Sequence, residues 1–199
     1  MFELPKVINI DDKQFKIRND GDYRMVLDCF AALQDSEIPS DSERVLTALV
    51  IFYEDMTDFD DVLLLDNLEV AVKEMYKFFN GGADSTVQGQ RVNYKLVDWQ
   101  KDEQLIASAV NSVAHTEIRA LPYVHWWTFL GYYTAIGECP FSNIISIRYK
   151  LMAHEKLEKH EQKFKNNNPD YFVWDKTSAD EKEAEAWVHE IWNNSGGAT

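Results

Sequence analysis

The 199 residues hold only two cysteines, Cys29 and Cys139, far apart and outside any C-x-x-C pair. Zinc-ribbon and thioredoxin-type chemistry are therefore unsupported, and buried, reduced thiols are expected. Basic charge is scarce: 20 Lys and Arg against 34 Asp and Glu give a net charge of −14. Nucleic-acid binders gain most of their affinity by releasing counterions with Lys and Arg, so no nucleic-acid partner is expected. No stretch approaches about 18 uncharged apolar residues, and the opening MFELPKVINIDD lacks a basic start and an apolar run. Neither a membrane span nor a secretory signal is expected, the expected location is the cytosol, and the Asn193-Asn194-Ser195 sequon then carries no meaning. No G-x-S-x-G, P-loop or G-x-G-x-x-G occurs, and Gly81, Gly82, Gly89, Gly131 and Gly137 lack phosphate-cradle spacing. The sequence offers no enzyme signature, no catalytic residue, and no cofactor.

With 45% hydrophobic residues the chain can bury a substantial core. Its pattern predicts a mainly α fold, a helical bundle with a short N-terminal β-hairpin. Val7, Ile8 and Ile10 form one arm and Phe15 and Ile17 the other, across Asp11-Asp12-Lys13. Tyr23, Val26, Leu27, Phe30 and Leu33 recur at the spacing of one helical face. After Pro39-Ser40, Asp41 or Ser42 can cap a helix carrying Val45, Leu46, Leu49, Phe52 and Tyr53. From Asp58 to Phe79 the apolar positions are Leu64, Leu68, Ala71, Val72, Met75 and Phe79, with Asp66 and Glu69 able to cap a second helix and Gly81-Gly82 ending the run. Residues 80 to 95 read as a loop. From Asp98 a helix buries Leu105, Ile106, Ala109, Val110 and Val113, and Pro122 is placed to open the next at its first position. From about Ser142 a long helix carries Ile144, Ile145, Ile147, Leu151 and Met152, then thins into HEKLEKHEQKFKNNN, a charged surface extension. A single helical domain is expected over residues 1–165, with the hairpin in 1–19. Residues 166–199 read as an extension with one helix over 178–193, opened by a Ser178 and Glu181 capping box, and a frayed tail.

HEKLEKHE, residues 154 to 161, starts like a zinc helix, but the second histidine would have to stand at Glu158. No metal ligand set is assigned, and a solvated helix with Glu155–Lys159 and Glu161–Lys165 pairs is the expectation. The many carboxylates fit turns and helix starts and form no evident acid/base pair. PYVHWWTFLGYY, residues 122 to 133, is the densest aromatic stretch. On a helix, Trp126, Phe129, Leu130 and Tyr133 share one face, and Trp127 lies about 100° away, in line with Tyr123 and Gly131. An almost wholly apolar circumference indicates a core helix with a polar handle at His125. Tyr123, Trp127 and Gly131 stand off the main stripe and are the candidates for a partner-binding face.

VHWWTFL at 124–130, preceded by DWQKDEQLIASAV and followed by SIRYK at 146–150, resembles the gene-product-fifteen family of bacteriophages and prophages. The hairpin VINIDDKQFKIRND, Tyr23-Arg24 and MYKFFNGG fit the same pattern, so the resemblance spans most of residues 5 to 150. The stretch from about 155 departs from it. The resemblance implies a mainly helical tail-morphogenesis protein of the host bacterial cytoplasm, similar to tail assembly chaperones. Such a protein would bind the apolar helices of the tape measure protein and help recruit tail tube subunits. A structural tail or connector protein retained in the virion is the alternative. Oligomeric state stays open, although several copies along a tape measure would fit.

Overall fold

The computed structural model describes residues 3–10, 12–65, 67–83 and 96–173. The fold is mainly α, with eight α-helices among the described residues and one two-stranded antiparallel hairpin. The chain forms two compact units: the first holds described residues up to 83 together with 125–127, the second those from 96 to 124 and from 128 to 173.

In the first unit, β1 (Val7–Ile10) pairs with β2 (Lys13–Lys16), setting Ile8 opposite Phe15 and Ile10 opposite Lys13. The alternation of a strand turns Ile8 and Ile10 inward and leaves Val7 and Asn9 out. A short 3-10 turn, Arg18–Gly21, follows, with Asn19 and Asp20 at positive φ. Then α1 (Tyr23–Gln34) starts at Asp22, whose carboxylate accepts from the Arg24 N–H. Its inward face differs from the expected stripe. Tyr23, Val26 and Phe30 are buried, but Met25, Cys29 and Ala32 complete that face, while Leu27 and Leu33 are half-buried on its rim. Cysteine packs as a small apolar residue here, which a stripe counted from large side chains overlooks.

Next comes α2 (Asp41–Phe52), capped by Ser40 and not by Asp41 or Ser42: its hydroxyl accepts from the Glu43 N–H at 3.2 Å. Ser40 has the extended backbone a cap needs, and Asp41 already lies inside the helix. At the other end the Arg18 guanidinium donates to the carbonyls of Val50, Ile51, Tyr53 and Met56, meeting the negative pole of α2 with a cation. The 58–79 segment is indeed two helices, α3 (Phe59–Leu63) and α4 (Leu68–Phe79). Asp58 caps α3, whereas the proposed cap at Asp66 lies outside the described residues. Leu64, expected on the apolar face, is 80% exposed, because α3 stops at Leu63 and the inward position falls to Val62.

In the second unit, α5 (Glu103–Ala114) starts five residues later than the expected Asp98. Asp98 instead takes the Gln100 and Lys101 N–H groups on its carboxylate, making a turn of the stretch ahead of the helix. Ile106, Ala107, Ala109 and Val110 are buried; Leu105 and Val113 are only half-buried. Residues 121–124 carry no helix, and α6 (Trp126–Thr134) opens four residues beyond Pro122, which is therefore not its first residue. Two further helices are α7 (Pro140–Met152), with Pro140 at its start, and α8 (Lys159–Asn167).

The expected continuous helix through HEKLEKHE is absent. After Met152 the chain turns at His154, φ +56°, with the Glu155 N–H donating to the Lys150 carbonyl at 2.7 Å. That 6→1 closure ends a helix. Glu155 then lies outside any helix, so its expected pairing with Lys159 has no helical basis; Glu161 is instead bonded to Lys150 at 2.7 Å. The expected 178–193 helix with its Ser178 and Glu181 box, and most of the 80–95 loop, fall outside the described residues.

Candidate functional site

The His-Trp-Trp triplet is held by the first unit. Helix α4 ends in a Schellman closure: Gly81 and Gly82 take positive φ, and the Gly82 N–H reaches back to the Lys77 carbonyl at 2.9 Å. The last carbonyls of a helix lack intrahelical partners. Here the two tryptophans contribute donors: Trp126 Nε1 donates to the Phe79 carbonyl and Trp127 Nε1 to the Phe78 carbonyl, both at 2.9 Å, the latter carbonyl also accepting from the Gly81 N–H at 3.1 Å. Adjacent indoles thus cap adjacent carbonyls. Trp126 is wholly buried, edge-on to Phe30 at 5.7 Å, whereas Trp127 is half-buried, tilted over Phe78 at 6.0 Å. A Cβ on Gly82 would stand 2.9 Å from Trp127 Cη2, so the glycine is needed both for its φ of +88° and for room.

His125 orients this pair. Its Nδ1 accepts from the Trp127 backbone N–H at 3.0 Å and caps the start of α6. Nε2 lies 3.1 Å from the Pro5 carbonyl, an acceptor only, so that nitrogen carries the proton and the ring is the neutral Nε2–H tautomer. Burial is the main cause that holds its pKa below 6.5, with Lys6 acting in the same direction and Pro5 and Asp22 opposing. The ring also sits edge-on to Phe78, and a Cβ on Gly21 would be 3.0 Å from Nε2. His125 is more than the polar handle of a core helix: it precedes the helix and fixes where it begins.

Of the three predicted partner-binding residues, Trp127 occupies this cap and is half-buried. Gly131 lies one turn on in α6, exposed, with open space where a Cβ would be. Tyr123, 41% exposed, precedes the helix, so its expected helical alignment with the other two does not hold. Carboxylates with shifted pKa values sit in local structure. Glu117 is drawn down to about 2, first by the Arg119 side chain and then by its backbone N–H and Asn111. Asp28 is raised by burial.

The second unit contains a constellation that sequence reasoning missed. Arg148 and Asp102 are both buried and form a two-pronged ion pair, Nη2 to Oδ1 at 2.8 Å and Nη1 to Oδ2. Arg148 also donates to the carbonyls of Leu96 and Tyr171, each at 2.9 Å, and Asp102 accepts from the Asp98 N–H. One guanidinium therefore ties α7 to the residue ahead of α5, to the segment before it and to the 3-10 turn Pro169–Phe172. A signal was available: Arg148 falls at i+4 from Ile144, on the apolar stripe of its own helix, where a charge requires a partner.

Among the described residues no three His, Cys, Asp or Glu stand together as a metal site, and no helix is long and apolar enough to cross a membrane. A family model described as "Bacteriophage Gp15 protein" matches residues 2–171. No curated protein and no solved structure matches the chain.

Proposed function

Since the chain belongs to the bacteriophage Gp15 protein family, we propose that it is a tail assembly chaperone that binds the apolar helices of the tape measure protein during tail morphogenesis. The family match over residues 2–171 carries this reading. Physical chemistry supports it: a long helix with apolar faces aggregates unless covered, and a helical protein with a net charge of −14 is suited to keeping such a complex soluble. The tail tube protein is a second partner, the site of action is the host cytoplasm, and the role is binding and not catalysis.

Co-expression with the cognate tape measure protein tests the reading, with an increase in that protein's soluble fraction as the expected outcome. Mass spectrometry of purified virions supplies the counter-test. Stoichiometric copies of this chain in the particle would favour the alternative, a tail or connector protein that stays there.

A further inference from the structure

Between Arg44 and Lys73 the sequence has no Lys or Arg, while seven carboxylates fall between Glu54 and Glu69. In the middle of this anionic stretch stand three large apolar side chains that the fold turns outward: Phe59 at 41%, Leu63 at 61% and Leu64 at 80% exposure. They are not on a loose segment. Asp58 caps α3 through the Asp61 N–H, the Asp61 carboxylate takes both the N–H and the hydroxyl of Thr57 at 2.8 and 2.7 Å, and Val62 is wholly buried. Phe59 and Leu63 are one turn apart, so they form a short ridge, continued by Leu64. The cations Lys16 and Arg18 reach this region, and both are bonded to groups outside α3: Lys16 pairs with Glu54 at 2.8 Å, and the Arg18 guanidinium is taken up by the carbonyls of Val50, Ile51, Tyr53 and Met56.

From this we infer that the α3 ridge is a docking surface for a basic amphipathic helix, whose apolar side chains cover Phe59, Leu63 and Leu64 and whose flanking Lys or Arg meet Asp58 and Asp60. Charge complementarity selects this occupant. A second copy presenting the same face would set carboxylates against carboxylates, which association does not tolerate in a desolvated contact. An acidic or neutral helix would satisfy the leucines but leave the surrounding charge unmatched. The inference deepens the reading of the chain as a binder of apolar helices, and rests on it only for the helical form of the partner.

The probe is a fluorescein-labelled synthetic helix of roughly 15 residues, with leucines at i, i+4 and lysine flanks, titrated against the full chain in an anisotropy assay. Two control peptides accompany it, one with serine for leucine and one with glutamate for lysine. The lysine–leucine peptide is expected to bind, and L63S/L64S to weaken it by about tenfold or more, with Asp60→Lys also weakening it. Both variants change exposed side chains, so unaltered circular dichroism melting should accompany the loss. Equal binding of the serine control would show mere attraction to an acidic protein and overturn the inference; so would binding unchanged by L63S/L64S. Dispersal of a wild-type dimer by L63S/L64S in sedimentation would assign the ridge to a second copy and equally overturn it. The co-expression test fails separately: solubilised tape measure protein with an indifferent L63S/L64S variant removes the ridge and leaves the chaperone, and peptide binding without solubilisation does the reverse.

Discussion

Among single residues, His125 and the two tryptophans differ in what they contribute. Trp126 fills a fully buried site, so Trp126→Ala should cost about 3–5 kcal/mol, visible as a large fall in the chemical-denaturation midpoint. Trp127→Phe keeps one aromatic ring but removes the indole N–H that donates to the Phe78 carbonyl and the ring edge packed on Gly82, and a loss of about 1–3 kcal/mol is expected. Gly82→Ala should cost about 1–3 kcal/mol through the positive φ, and more if the Trp127 ring cannot shift. For His125 the sign follows from its depressed pKa. Below the unfolded value of 6.5 the unfolded chain binds the extra proton first, so stability present above that pH is lost as pH falls toward the lower folded value. Melting temperatures of wild type across this window should slope downward with acid. His125→Gln should flatten that slope, and an unchanged slope would remove His125 as its cause.

Among elements, the buried pair between α7 and the start of α5 should show strong coupling. Asp102→Ala leaves Arg148 buried without its counter-charge, so a loss of about 3–5 kcal/mol is expected; a double variant, Asp102→Leu with Arg148→Met, should recover part of it in denaturation curves, the rest being the donor taken from the Leu96 and Tyr171 carbonyls. The helices themselves were legible in the sequence because their apolar spacing is regular: α1, α2, α4, α5 and α7 all lie where the periodicity puts them. Their ends were less so. Pro122 carries a start signal that α6 does not use, because the acceptor that opens that helix is the His125 ring, itself positioned by Pro5, a residue 120 positions away. The run through His154 lacked a glycine or proline to mark its break; a histidine in the left-handed region supplies it. Trp127's indole contact and the Arg148–Asp102 pair are long-range, so spacing alone could point to the residues and not to their partners.

Across the whole molecule, charge is the property with the widest reach. A net charge of −14 repels other acidic chains and draws in basic ones, so any partner bound through complementary charge should release as salt is added. Raising ionic strength from about 0.01 to 1 M shortens the screening length from about 30 to 3 Å. Under the proposed function, pull-down of the tape measure protein should weaken across that range if charge steers the encounter, and persist if the contact is purely apolar. Membership of the phage family was readable from the His-Trp-Trp order and its neighbouring helices, and the family model covers residues 2–171. The geometry accounts for the density of that motif without requiring that all of it face a partner.

The reach of His125 back to the Pro5 carbonyl also sets a clock on synthesis. At about 5–20 residues per second, some 6–24 s separate translation of Pro5 from translation of His125. Throughout that interval the hairpin and α1 to α4 exist without the indoles that close the end of α4. The first unit is therefore finished from downstream, and a nascent chain stalled short of residue 126 would lack the indoles that pack on Phe30 and Phe78 and bond the Phe78 and Phe79 carbonyls, leaving that end of α4 open to whatever chaperones the host has at the ribosome.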